Sequence, residues 1–72
     1  MTTLPSVSGE QTVRALRRAG FVRISQKGSH AKLRNAAGRT VIVPMHRELA
    51  RPTLASILRQ AGLSVDEFIA LL

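Results

Sequence analysis

FVRISQKGSHAKLRNAAGRTVIVP, residues 21–44, decides the fold. Phe21 to Gln26 is rich in β-formers and reads as a strand. Lys27-Gly28-Ser29 reads as a turn, and His30 to Arg34 as a second strand. Strand alternation sends Ala31 and Leu33 to one face and His30, Lys32 and Arg34 to the other. Asn35-Ala36-Ala37-Gly38 reads as a hairpin loop with a late glycine, and Arg39 to Val43 as a third strand stopped by Pro44. The segment predicts a three-stranded antiparallel meander, a sheet that buries one face under helices and leaves the other wet. The wet face would carry His30, Lys32 and Arg34.

On the N-terminal side, residues 1–7 read as a loose start. Ser8 and Gln11 have the spacing of a capping box, which opens a helix. Val13 and Leu16 form its apolar stripe, joined at the edge by Ala19, and Gly20 ends it. On the C-terminal side, a loop from Met45 to Arg51 leads to Pro52, a residue favoured in the first turn of a helix. Leu54, Ile57, Leu58 and Ala61 then fall at i, i+3, i+4 and i+7, one helical face, and Gly62 closes it. Ser64 and Glu67 make a second capping box, and Val65, Phe68, Ile69 and Leu72 repeat the spacing on a short last helix. The expected fold is α+β: a helix, a three-stranded antiparallel sheet, a helix and a short C-terminal helix, in one domain over residues 1–72.

Composition narrows the chemistry. The 72 residues carry eleven Lys and Arg against four Asp and Glu, a net charge of +7 that points to a polyanionic partner. The basic residues are spread along the chain instead of lining one long amphipathic helix, which argues against a membrane surface. There is no cysteine, so disulfides and thiolate zinc sites are excluded, as suits a reducing cytoplasm. Met1 to Val7 has neither a basic start nor an apolar run, so no signal peptide is expected, and no stretch is apolar enough to span a membrane. Of the four acids, Glu10 and Glu48 are distant in sequence, and Asp66 and Glu67 are helix neighbours that do not face each other. A two-metal nuclease needs several convergent carboxylates, so no metal and no cofactor are expected.

Two histidines remain. His30 follows Gly28-Ser29 and shares its face with Lys32 and Arg34. Imidazole is the side chain best matched to proton transfer near neutral pH, and the neighbouring cations attract a phosphate. That combination suits attack by a ribose 2′-hydroxyl on its own 3′-phosphate; equally, His30 reads as one more member of a basic surface. His46, in Pro44-Met45-His46, reads either as a loop residue fixing the turn or as a second acid/base or phosphate donor. Lys27, Gly28 and Ser29 offer a basic turn whose backbone N–H groups can meet a phosphate, and it reads equally as an ordinary tight turn. Arg39 joins Lys27, Lys32 and Arg34 as a candidate phosphate contact. With no Tyr or Trp, and Phe21 and Phe68 both at expected core positions, base stacking is not the mode of recognition.

The segments Ala19-Gly20-Phe21, Gln26-Lys27-Gly28-Ser29-His30, Gly38-Arg39-Thr40-Val41-Ile42-Val43-Pro44-Met45-His46, Pro52-Thr53-Leu54, Ile57 to Ser64 and Glu67-Phe68 occur together in this order. As an ordered set spanning roughly residues 8–69 they resemble the HicA family, the toxins of HicA/HicB type II toxin–antitoxin systems. The resemblance implies a fold like that of double-stranded-RNA-binding domains, ribonuclease activity against messenger RNA in the cytoplasm, and a HicB-type antitoxin that masks the toxin. It maps the family's catalytic histidine onto His30 as general acid/base. One departure is Ala31, where many members carry a second histidine or an apolar residue. The competing expectations are a non-catalytic basic RNA-binding module and an interaction subunit. The first would not need the imidazole, and the second would show a conspicuous exposed apolar face.

Overall fold

The computed structural model describes residues 3–72 and is built as α1 (Gly9–Arg18), β1 (Val22–Lys27), β2 (His30–Arg34), β3 (Thr40–Pro44), α2 (Arg51–Ala61) and α3 (Val65–Leu71). The α+β order predicted from sequence is the order observed, and the sheet is an antiparallel meander in the order β1-β2-β3.

Each helix begins where local chemistry starts it. Ser8 caps α1 reciprocally: its hydroxyl accepts from the Gln11 N–H at 3.0 Å, and the Gln11 side chain accepts from the Ser8 N–H at 2.9 Å. Ser64 and Glu67 repeat the exchange at the start of α3. Helix α2 has no side-chain cap and starts with Pro52 in its first turn. It stops at Gly62, whose left-handed conformation (φ 73°) a side chain would strain.

Helices α1 and α2 pack on one face of the sheet, chiefly against β3, and α3 packs on α1. Between them lie Leu16, Leu33, Val41, Val43, Leu54 and Phe68, each fully buried. Ala31 and Leu33 point into this core from β2, as their alternation requires. Ala31 has no exposed surface, so its side chain packs beneath the helices.

Three expectations are corrected. The first strand spans 22–27, because Phe21 is drawn into the core and Lys27 pairs with His30. Pro44 does not stop the third strand but forms its last pair, opposite His30; β3 is an edge strand, where a missing N–H is tolerated. The N-terminal segment is tied down: Val7 is buried, its carbonyl accepts from the Leu49 N–H at 2.8 Å, and Leu4 packs against the core. Met1 and Thr2, also assigned to the loose start, lie outside the described residues.

Candidate functional site

The open face of the sheet is ordered by its register. Across the three strands, Lys27, His30 and Pro44 form one row, Ser25, Lys32 and Ile42 the next, and Val22, Arg34 and Thr40 the third. The cations of β2 therefore run down the middle of the face, on the strand paired on both sides. Arg34 is steadied by its Nε–H donating to Thr40 Oγ1 at 3.2 Å. Lys32 is half-buried, its stem lying in the row that includes Ile42. Val22 and Ile42 are exposed by 62% and 46%, and they stand on opposite edge strands with the cations of β2 between them.

His30 is the first residue after a two-residue turn, Gly28-Ser29, closed by the Lys27–His30 pair. Gly28 has positive φ (55°) and Ser29 does not, as a type II′ turn requires. The turn is pinned from outside the strands: Gln26 Nε2 donates to the Gly28 carbonyl at 3.2 Å, and the Met45 N–H donates to the Ser29 carbonyl. The His30 side chain is exposed and makes no hydrogen bond to another described residue. The arrangement presents an unencumbered imidazole, on a fixed backbone, at the end of a cationic row.

Lys27, Gly28, Ser29, His30, Lys32 and Arg34 are thus brought together. Arg39 is not: it lies on the helix side, where its Nη1 donates to the Gln60 carbonyl at 3.2 Å and its guanidinium covers Gly62. His46 is not on the open face either. Its carbonyl accepts from the Gly9 N–H at 2.9 Å, and it lines a cleft of about 430 Å³ that does not include His30. The other walls are Ser8 and Glu10 from the start of α1, Arg23 and Gln26 from β1, and the neighbouring Met45 and Arg47. Arg23, Gln26 and Arg47 were not singled out from sequence. Only the juxtaposition of three distant segments makes them a group. Among the described residues, no three His, Asp or Glu side chains converge on a point where they could hold a metal ion. Nor is any described helix long and apolar enough to cross a membrane.

Comparison with known proteins extends this picture. A family model described as the HicA toxin of bacterial toxin–antitoxin systems matches residues 9–63. A chain of a solved toxin–antitoxin complex from Streptococcus pneumoniae superposes with a TM-score of 0.70 at 31% sequence identity, over 79% of this chain and 98% of that one. No curated protein matches the chain.

Proposed function

The chain belongs to the HicA family of toxins from bacterial toxin–antitoxin pairs, and from that premise we propose that it is a metal-independent endoribonuclease that cuts messenger RNA in the cytoplasm, with His30 as its general acid/base. His30 carries the proposal: a solvent-facing imidazole without a structural partner, in line with Lys32 and Arg34 and beside Lys27. A core or capping histidine would be buried or hydrogen-bonded, and this one is neither.

In the reaction, the ribose 2′-oxygen bonds to the adjacent phosphorus as the bond from phosphorus to the 5′-oxygen breaks. His30 takes the proton from the 2′-hydroxyl or delivers one to the departing 5′-oxygen, with water serving the other end. Lys27 or Lys32 stabilises the charge that builds on the phosphorane oxygens. The remaining cations, with the backbone of Gly28 and Ser29, hold flanking phosphates, a mode that needs no aromatic platform. The partner is a HicB-type antitoxin that neutralises the toxin by covering this same face.

The test is incubation of the purified protein with labelled RNA in excess EDTA, beside its His30→Ala variant. Cleavage should persist in EDTA and fall by about 10² to 10⁴ in the variant, the usual worth of general acid–base catalysis. A folded His30→Ala protein that cuts at the parental rate removes His30 from the chemistry. Binding without any cleavage by the parent leaves a non-catalytic RNA-binding module.

A further inference from the structure

The row that contains His30 is the last of the open face. An RNA strand that runs over Arg34 and Lys32 and places a phosphate at His30 therefore leaves the sheet there and turns the corner at Gly28-Ser29. What it meets on the other side is the cleft of Arg23, Gln26, Met45, His46 and Arg47. The two surfaces share a wall, because the same turn that presents His30 is held from the cleft side by Gln26 and the Met45 N–H.

The cleft suits a nucleotide. Its volume, about 430 Å³, is that of ligand clefts in general, roughly 300–1,000 Å³. Two guanidinium groups, Arg23 and Arg47, face one carboxylate, Glu10, so its lining is cationic before His46 is counted. Gln26 holds Arg23 in place by accepting from its Nη1 at 2.9 Å, which leaves the other donors of that guanidinium for a ligand. Arg47 is exposed and has no hydrogen-bond partner among the described residues. Guanidinium groups match phosphate oxygens in geometry as well as charge.

We infer that this cleft is a second RNA subsite, which binds the nucleotide next to the one cut, with Arg23 and Arg47 on its phosphate. The inference rests on the ribonuclease reading for the identity of the strand, but it is tested by binding. The probe is a short 2′-O-methyl RNA, which lacks the free 2′-hydroxyl. Arg47→Ala and Arg23→Ala should each weaken its binding about ten-fold, the worth of one charge-assisted hydrogen bond. Each should also flatten the dependence of log K on log salt by about 0.7. Arg59→Ala, on the exposed side of α2, should change neither value. Amide resonances of Gln26, Met45 and Arg47 should shift as RNA is added. Arg47 holds nothing in the fold, so its variant keeps the test valid if Arg23→Ala fails to fold.

Unchanged affinity in Arg47→Ala, or amide shifts confined to the open face, overturns the subsite even if the parent cuts RNA. Shifts of the cleft amides by an acidic peptide but not by RNA also overturn it, and mark the cleft as a protein-docking surface. Arginine-dependent RNA binding in the cleft, with no cleavage of any RNA by the parent, instead overturns the ribonuclease reading and leaves the cleft as an RNA site.

Discussion

Gly9 lies so close to Pro44 that a Cβ on it would stand 2.1 Å from the Pro44 carbonyl oxygen and 2.8 Å from Met45 Cα. The first turn of α1 is thereby seated on the end of β3, and the Gly9 N–H donates to the His46 carbonyl at the same junction. Pro44 is also the cross-strand partner of His30, so this seat fixes one border of the site. The atoms that block a side chain are backbone and cannot swing aside. Gly9→Ala should cost about 1–3 kcal/mol, the usual penalty of overpacking. For a domain this small that lowers Tm by about 4–8 °C per kcal/mol. A thermal melt of Gly9→Ala that coincides with the parent would refute the close seat.

The legible parts of this fold are those written in local chemistry. The Ser8/Gln11 and Ser64/Glu67 boxes need only a spacing of three, and both form as predicted. Leu54, Ile57, Leu58 and Ala61 are buried as their helical spacing requires, and β2 alternates because both of its faces meet different surroundings. The first strand shows the opposite case. Val22 and Ile24 alternate with Arg23 and Ser25 in an inward-outward pattern, yet the register sets Val22 across from Arg34 on the open face and Arg23 across from Leu33 on the helix side. A bulge between Arg23 and Ser25 shifts the phase, and every residue of β1 is exposed, so burial does not select its face. His30 could be singled out as a candidate from its motif. The cleft around His46 could not, because its walls come from three segments that meet only in the folded chain.

The central cations should serve two partners. Lys32→Glu or Arg34→Glu is expected to weaken RNA binding and antitoxin binding together, by about 2 kcal/mol or more for a charge lost from a desolvated contact. Calorimetric titration of each variant with RNA and with the antitoxin checks this. A variant that loses RNA affinity but retains the antitoxin in full would place the masking surface elsewhere.

Arg39 should behave differently from Lys32. Its guanidinium sits at the C-terminal end of α2, bonded to the Gln60 carbonyl, where a cation complements the helix dipole. Arg39→Ala should therefore lower stability by about 0.3–1 kcal/mol and reduce RNA affinity less than Lys32→Ala does. Urea unfolding and RNA binding, measured on both variants, separate the roles. An Arg39→Ala protein of parental stability with the larger loss of RNA affinity would reverse the assignment.

The α3 cap makes a prediction about acid. The Ser64 backbone N–H, and secondarily its hydroxyl, hold the Glu67 carboxyl below the usual glutamate range. A depressed folded pKa contributes stability that is present above the unfolded value, near 4.3. That contribution is lost as pH falls through the lower folded value. Helix α3 carries Phe68, which is fully buried, so weakening the cap in acid loosens the core. Carboxyl titration by NMR should find Glu67 titrating low in the parent and only partly raised in Ser64→Ala, which loses the hydroxyl but keeps the backbone N–H. Equal values in the two proteins would remove the hydroxyl as a contributor, and an ordinary value in the parent would contradict the cap as the cause.

The last prediction concerns the nucleophile. The chain has no cysteine, and among the described residues no acidic or histidine cluster is placed to activate a water through a metal. Among the described residues, His30 is the imidazole on the open face, with lysines beside it to meet a phosphorane. One imidazole is enough if the substrate brings its own nucleophile, and RNA does so with each 2′-hydroxyl. A single 2′-deoxy substitution at the scissile nucleotide should then block cleavage at that bond and leave cleavage elsewhere on the strand intact. The 5′ fragment should end in a 2′,3′-cyclic phosphate or its hydrolysis product, and the 3′ fragment should begin with a free 5′-hydroxyl. Mass spectrometry of the fragments reads both ends directly. If the deoxy-substituted RNA were cut efficiently, leaving a free 3′-hydroxyl on the 5′ fragment, water would be the nucleophile, and His30 would have to activate it from the same exposed position.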